Sequence, residues 1–225
     1  MPQLNFQIEG AEPVPFSAAP TIGFKLRITN MKPSEPVHTV LLRCQIQIES
    51  TRRRYQAEEQ ERLSDLFGEQ RRWGQTLRAM LWTNLSTIVP GFTRDTVVNL
   101  LVPCSFDFNV AATKYFAALG DGEVPLCFLF NGPIFFRGLG HNLLVEQLPW
   151  EKQATYRLPV TVWQNMMYIY YPNENWLTLR SDVFDRLAEF KRRRQIPTWE
   201  QAMETLLSSA SEETTEKALS AQRVL

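Results

Sequence analysis

Residues 22–29 read IGFKLRIT and residues 40–49 read VLLRCQIQIE. In the first stretch Ile22, Phe24, Leu26 and Ile28 alternate with Gly23, Lys25, Arg27 and Thr29. In the second, Val40, Leu42, Cys44, Ile46 and Ile48 are apolar, with Arg43, Gln45, Gln47 and Glu49 between or after them. Successive side chains of a strand point to opposite faces, so each stretch predicts a strand with one face buried and one wet. Asn30 to Pro36 supplies turn residues between them. Leu4, Phe6 and Ile8 against Asn5, Gln7 and Glu9 predict an earlier strand of the same kind, and Pro13, Pro15 and Pro20 interrupt ladder pairing after it. Three one-sided strands imply an antiparallel sheet whose apolar face packs on a second layer.

Further strands are expected at Ser86–Val89, Thr96–Asn109, Val124–Phe130, Ile134–Arg137, Leu143–Leu148 and Thr155–Val162. The run Val97, Val98, Leu100, Leu101, Val102 is apolar on both faces and predicts a central strand covered twice. Thr51 to Met80 differs: it is charge-dense and free of proline, with Leu63, Leu66 and Phe67 at helical spacing and Gly68 placed to end the helix. A helical insertion near 55–81 follows, with a second turn carried by Trp73, Leu77 and Leu81. Val110–Leu119 predicts a short helix before the turn at 120–123.

Two helices are expected over 181–207, the first capped by Ser181 and the second opening with a Thr198–Gln201 capping box. Residues 208–225 are rich in Ser, Thr, Glu and Ala and are expected to be disordered. The fold class is therefore α+β, mainly β: an antiparallel immunoglobulin-like β-sandwich with a helical insertion and two C-terminal helices, forming one domain over 1–207.

Composition bounds the function. A hydrophobic share of 44% supplies a core, and 24 basic against 24 acidic residues give no whole-molecule field to attract nucleic acid or anionic lipid. Arg52–Arg54, Arg71–Arg72 and Lys191–Arg194 are basic clusters, but acidic neighbours or a helix C-terminus account for each, so nucleic acid is not an expected partner. The N-terminus has no signal-like apolar run and no stretch is long enough to span a bilayer, which leads to an expectation of a soluble, cytoplasmic protein. Cys44, Cys104 and Cys127 are widely spaced in apolar runs and read as reduced core cysteines, not as metal ligands. The sequon at Asn84 has no secretory context to act in.

Catalytic signals are sparse. There is no Gly-x-Ser-x-Gly elbow, no phosphate-binding glycine loop and no Walker lysine, so no cofactor is expected. His38 sits in a turn, while His141 in GLGHN is the one residue on which an enzymatic alternative rests. Asp107, Asp121 and Glu123 read as solvated turn residues. The aromatic density from 124 to 176 is more suggestive. Phe128, Phe130, Trp163, Met167, Tyr168, Tyr170 and Tyr171 are candidate ligand- or partner-binding residues, because Met, Tyr and Trp are enriched where surfaces bind.

The segments GAEPVPFSAAP, LLRCQI, VPCSFDFNVAATKYF, GEVPLCFLFNGPIFF, LPV with VW, and PTWEQAMETLL together resemble a bacterial family of unknown function. The resemblance covers 1–207. Some members of that family are encoded beside nickel-iron hydrogenase genes, which implies an accessory role without carrying the metal. The expected function is thus a non-enzymatic protein-interaction or accessory module. A binder of a small apolar ligand and an enzyme using His141 are the alternatives.

Overall fold

The computed structural model describes residues 2–138, 142–172, 174 and 176–222, with side chains described as far as Ala210. The chain divides into two compact units, Met1–Glu174 and Asn175–Leu225. It is α+β, with mainly antiparallel sheets and six helices among the described residues.

In the first unit, β1 (Leu4–Pro13), β2 (Thr21–Asn30) and β5 (Asp95–Pro103) form a three-stranded sheet in the order β1-β2-β5. The larger sheet is centred on β3 (Val37–Ile48), a strand of 12 residues. One edge of β3 pairs with β4 (Met80–Val89). Its other edge is shared: β6 (Glu123–Asn131) takes Arg43 to Ile48, and β7 (Pro133–Arg137) takes Val37 to Val40. Beyond these, β8 (Leu143–Gln147) pairs with β7 and β9 (Gln153–Pro159) with β6.

The alternation at β1, β2 and β3 places Leu4, Phe6, Ile22, Phe24, Leu26, Val40, Leu42 and Ile46 in one buried cluster. Rings lock the layers together. Phe6 of β1 stacks on Phe130 of β6 with centroids 4.5 Å apart, and Phe24 of β2 meets Phe128 edge-on at 5.1 Å. Each such pair adds about 1 kcal/mol to the burial of its rings.

The tandem pairing of β6 and β7 along β3 depends on Gly132. The residue has φ +129°, and a Cβ built there would lie 2.0 Å from the carbonyl oxygen of Leu41. Only glycine allows the chain to step at that point without pushing β3 away.

The insertion between β3 and β4 carries α1 (Ala57–Phe67), closed by Gly68 at φ 73°, and the single turn α2 (Trp73–Thr76). The helical insertion ends there, short of Leu81. Met80–Val89 is strand, with Trp82 and Val89 buried and Leu81, Asn84 and Ile88 exposed. A hydrophobic spacing of four from Trp73 through Leu77 to Leu81 was thus a coincidence of helix turn and strand alternation.

Three other expectations are corrected. β5 is an edge strand and not a doubly covered one: Leu100 and Val102 face the core, while Val97 and Leu101 are exposed. It stops at Pro103; Phe106–Phe108 is a turn, Phe108 is 53% exposed, and Asn109 caps α3 (Val110–Ala118) through a bond from the Ala112 amide at 2.9 Å. The strand expected over Thr155–Val162 ends at Pro159, and Val160–Tyr170 is helix α4.

In the second unit, α5 (Ser181–Arg193) begins without a side-chain cap from Ser181, whereas Thr198 caps α6 (Trp199–Gln222) by accepting from the Gln201 amide at 3.2 Å. α6 is thus helical past Ser208. Phe184 and Trp199 join the two helices, with ring centroids 5.3 Å apart.

Gly132→Ala is expected to destabilise the protein by about 3 kcal/mol or more, because a fixed carbonyl and not a movable side chain meets the new methyl. Gly10→Ala, where a Cβ meets nothing within 4 Å, is the control and stays near neutral. Urea denaturation midpoints compare the two, and equal midpoints would refute the role given to Gly132.

Candidate functional site

Helix α4 sorts most of the residues singled out from the sequence. Val160, Trp163, Met166, Met167 and Tyr170 recur at helical spacing and pack on the body, while Tyr168 and Ile169 face solvent. Trp163 stacks on Phe116 of α3 at 5.7 Å. Tyr170 is a tether: its hydroxyl donates to the Val14 carbonyl and accepts from the Ser17 amide, each at 2.8 Å. Phe128 and Phe130 fill the interlayer core at 0% and 1% exposure, so neither presents a surface to a ligand or partner. Tyr168, 68% exposed, is open to contact and Tyr171 is half-buried. His141 lies outside the described residues.

The basic clusters are largely engaged. Arg52 pairs with Glu49, Arg71 with Glu69 and Arg193 with Glu189, while Lys191 and Arg194 lie over the rings of Trp199 and Phe190. Arg53 is different, since it is buried. Its guanidinium donates to Glu59 Oε1 at 2.6 Å, to the Asp121 carbonyl at 2.7 Å and to the Glu123 carbonyl at 2.9 Å. Glu59 also accepts from the Gly120 amide at 3.0 Å and, through Oε2, from the Gln56 amide at 3.1 Å. Beside them the Tyr55 hydroxyl donates to the Ser50 carbonyl at 2.7 Å and meets the Tyr115 hydroxyl at 2.9 Å.

This constellation is inward-looking. Both Glu59 oxygens are occupied by donors from the chain itself, and the bonds tie the insertion to the turn that leads into β6. Among the described residues no three His, Cys, Asp or Glu side chains converge as a metal site. The cluster is a structural clasp that the sequence did not reveal: Glu59 is one acid in a charge-dense helix, its N3 place in a capping box with Gln56 emerges only in the fold, and nothing in the run of three arginines marks the middle one as buried.

What the fold leaves exposed is more informative. On the outer face of the large sheet, register places Leu41 of β3 opposite Ile88 of β4, and Phe135 of β7 opposite Val145 of β8. Thr39 pairs with Phe135, so Leu41 and Phe135 share that face two positions apart. Ile88 is 68% exposed, Val145 53% and Leu41 42%, and Leu143 lies on the same face at the sheet's end. All five residues of β8 are exposed. The middle of this face is polar, with Arg43 and Gln45 of β3 opposite Ser86 and Asn84 of β4. The contiguous apolar patch therefore lies at one end of the sheet, with Leu81, 50% exposed opposite Gln47, standing apart from it at the other. Sequence reasoning passed over it because Leu41 and Ile88 read as ordinary strand residues until pairing brought them together.

Burial holds the clasp's phenols and the core thiols protonated. Desolvation raises Tyr55 and Tyr115 above the ordinary tyrosine range and pushes Cys44 and Cys104 up to about 12. In the unfolded chain these groups lose their protons first, so the stability they hold is complete below about pH 8.5 and is lost as pH rises toward 12. Chemical denaturation between pH 8 and 11 is expected to show falling stability, and a flat profile would contradict the buried placement. Glu59→Gln leaves Arg53 buried without its counter-charge and is expected to cost about 3–5 kcal/mol at neutral pH. An unchanged urea midpoint would show that the clasp is not holding the insertion.

No curated protein matches this chain. Among solved structures, similarity extends to the solution structure of a protein assigned to the late embryogenesis abundant class, at 11% identity over 71% of this chain and 73% of that one, with a TM-score of 0.32. It also extends to the crystal structure of a protein assigned as ApaA from Bordetella pertussis, at 13% identity over 70% of this chain and 93% of that one, with a TM-score of 0.25. Likenesses this distant carry no argument about mechanism. No helix among the described residues is long and apolar enough to cross a membrane. Residues 1–215 match a single family profile, and the chain belongs to that family of unknown function, DUF6084.

Proposed function

We propose that this protein is a non-enzymatic protein-interaction module whose contact surface is the apolar end of the large sheet. The carrying observation is the patch formed by Leu41, Ile88, Phe135 and Val145 beside a fully exposed edge strand. Exposed contiguous apolar surface is costly in water and marks interaction sites. Its flat shape suits a protein face and does not enclose a small molecule.

The strand order supports a finer reading of the body. β1-β2-β5 facing β4-β3-β6-β9 has the order of an immunoglobulin-like sandwich. On that reading β7 and β8 form a ribbon added to the frame between its last two strands. Function on a shared frame resides in what is grafted onto it, and β7 and β8 supply half of the patch. The gene neighbourhood implied by the family resemblance makes hydrogenase subunits and their assembly proteins the first partners to test. The role is then accessory and cytoplasmic.

Ile88→Lys and Leu41→Lys place charge on the patch at positions already exposed, so folding is expected to change by no more than about 0.5 kcal/mol. Affinity purification of tagged wild-type and variant protein from the native host is expected to recover a partner that both variants lose. Retention of the same partner by both variants, with circular dichroism unchanged, would refute this surface; recovery of no partner by wild type would refute the interaction reading.

A further inference from the structure

The free edge of β8 has a specific hydrogen-bonding pattern. Leu148 donates its amide to the Gly132 carbonyl at 2.9 Å, and Gly138 donates to the Asn142 carbonyl at 3.0 Å. Bonded and non-bonded pairs alternate along an antiparallel ladder, and no bulge interrupts the β7–β8 register. Leu144 and Glu146 therefore turn their backbone groups toward β7, and those of Leu143, Val145 and Gln147 point to the open side. Among the described residues β8 ends its sheet; it is short and carries one charge, Glu146, but it contains no proline, lysine or bulge to block pairing along its open side.

We propose that β8 pairs antiparallel with β8 of a second copy of this chain about a two-fold axis at Leu144. This goes beyond the interaction reading above and stands or falls separately from it. The choice of occupant rests on the strand's self-complementarity. With the axis at Leu144, Leu143 lies opposite Val145 of the second copy in bonded pairs, and the two Leu144 side chains meet on the inner face. Every contact at the centre is then apolar on apolar. Glu146 falls opposite Asn142, so no like charges meet. Shifting the axis to Val145 forms more backbone bonds but sets Leu144 against Glu146 and Leu143 against Gln147, apolar against polar at four positions. The favoured register also extends the outer row Leu41–Phe135–Val145 onto Leu143 of the second copy, joining two apolar patches across one sheet.

A strand of five residues buries little area beside the roughly 1,200 Å² of a stable interface. The expected species is accordingly a reversible, concentration-dependent dimer. Sedimentation of the full chain over a concentration series tests for it, and cysteine cross-linking tests the register. Residues at a non-bonded antiparallel pair sit ~4.5 Å apart at Cα, within disulfide reach, so Leu144→Cys is expected to form a linked dimer on mild oxidation roughly tenfold faster than Val145→Cys. Wild type, whose three cysteines are buried, supplies the background. Val145→Pro removes a donor only from the open side and is expected to abolish the dimer without lowering the urea midpoint. A chain that stays monomeric throughout, or cross-linking faster at Val145→Cys than at Leu144→Cys, overturns the proposal. So does a dimer that survives Val145→Pro. If the chain is monomeric while Ile88→Lys still abolishes partner capture, self-pairing is wrong and the interaction reading stands.

Discussion

The fold hangs on the ring of Phe24. It projects from the middle of β2 and touches Phe128 on β6, Trp82 on β4 and Tyr156 on β9, with centroids 5.1, 6.0 and 6.1 Å away. One side chain of the small sheet thus bridges three strands of the large one, two of which, β4 and β6, flank β3. All three contacts are edge-to-face, the arrangement that aromatic quadrupoles favour. Strand register in both sheets must satisfy that meeting, since a slip of one residue would turn Phe24 to water and Lys25 into the core.

That constraint explains why the strands of the first fifty residues were legible, although their grouping was not: the three were expected to share one sheet, whereas β1 and β2 pair in the small sheet and β3 centres the large one. Alternation in β1, β2 and β3 is strict because each has one face on this core and one in water. Legibility fails where a segment departs from that condition. β5 looked apolar on both faces, yet it is an edge strand whose outer Val97 and Leu101 remain exposed; composition counts apolar side chains but not what covers them. α4 was hidden for a related reason. Val160, Val162, Trp163, Tyr168 and Tyr170 are β-branched or aromatic and favour strands locally, and only packing at a spacing of three and four residues against α3 and β1 makes the segment helical. The candidate site was the least legible part. Phe128 and Phe130 stood out by their size, and size is also what a core needs. Leu41 and Ile88 are 47 positions apart in the chain and become a patch only through β3–β4 pairing.

β3 separates two kinds of chemistry along its length. At ~3.4 Å per residue its 12 residues extend about 40 Å, with Ile48 leading into the insertion and Leu41 lying toward the other end. The polar clasp of Arg53, Glu59, Tyr55 and Tyr115 lies at the insertion, and its four side chains bond to one another or to the backbone of the chain itself, with only Arg53 Nε buried without a partner. The apolar patch lies toward the start, where side chains that would be at home in a core are left in water. A buried ion pair contributes little net stability but enforces one geometry, since any rearrangement strands a charge. The clasp is thus suited to hold the long insertion in one place against β6, and the patch bears no part of that task.

This division has a thermodynamic consequence. Groups more than about 10 Å apart with no shared partner contribute additively to stability, and residues of the clasp and of the patch share none of the contacts described above. Charge introduced at Ile88 therefore leaves the clasp at full strength, and loss of the Arg53–Glu59 pair weakens the insertion without altering the exposed face. Substitution at one end of β3 is in this way free of the demands of stability at the other. A surface that appears wasteful on energetic grounds can persist because the fold does not depend on it. Leu41, Ile88 and Val145 stand 42%, 68% and 53% exposed, so they contribute little to folding and the fold tolerates polar side chains in their place.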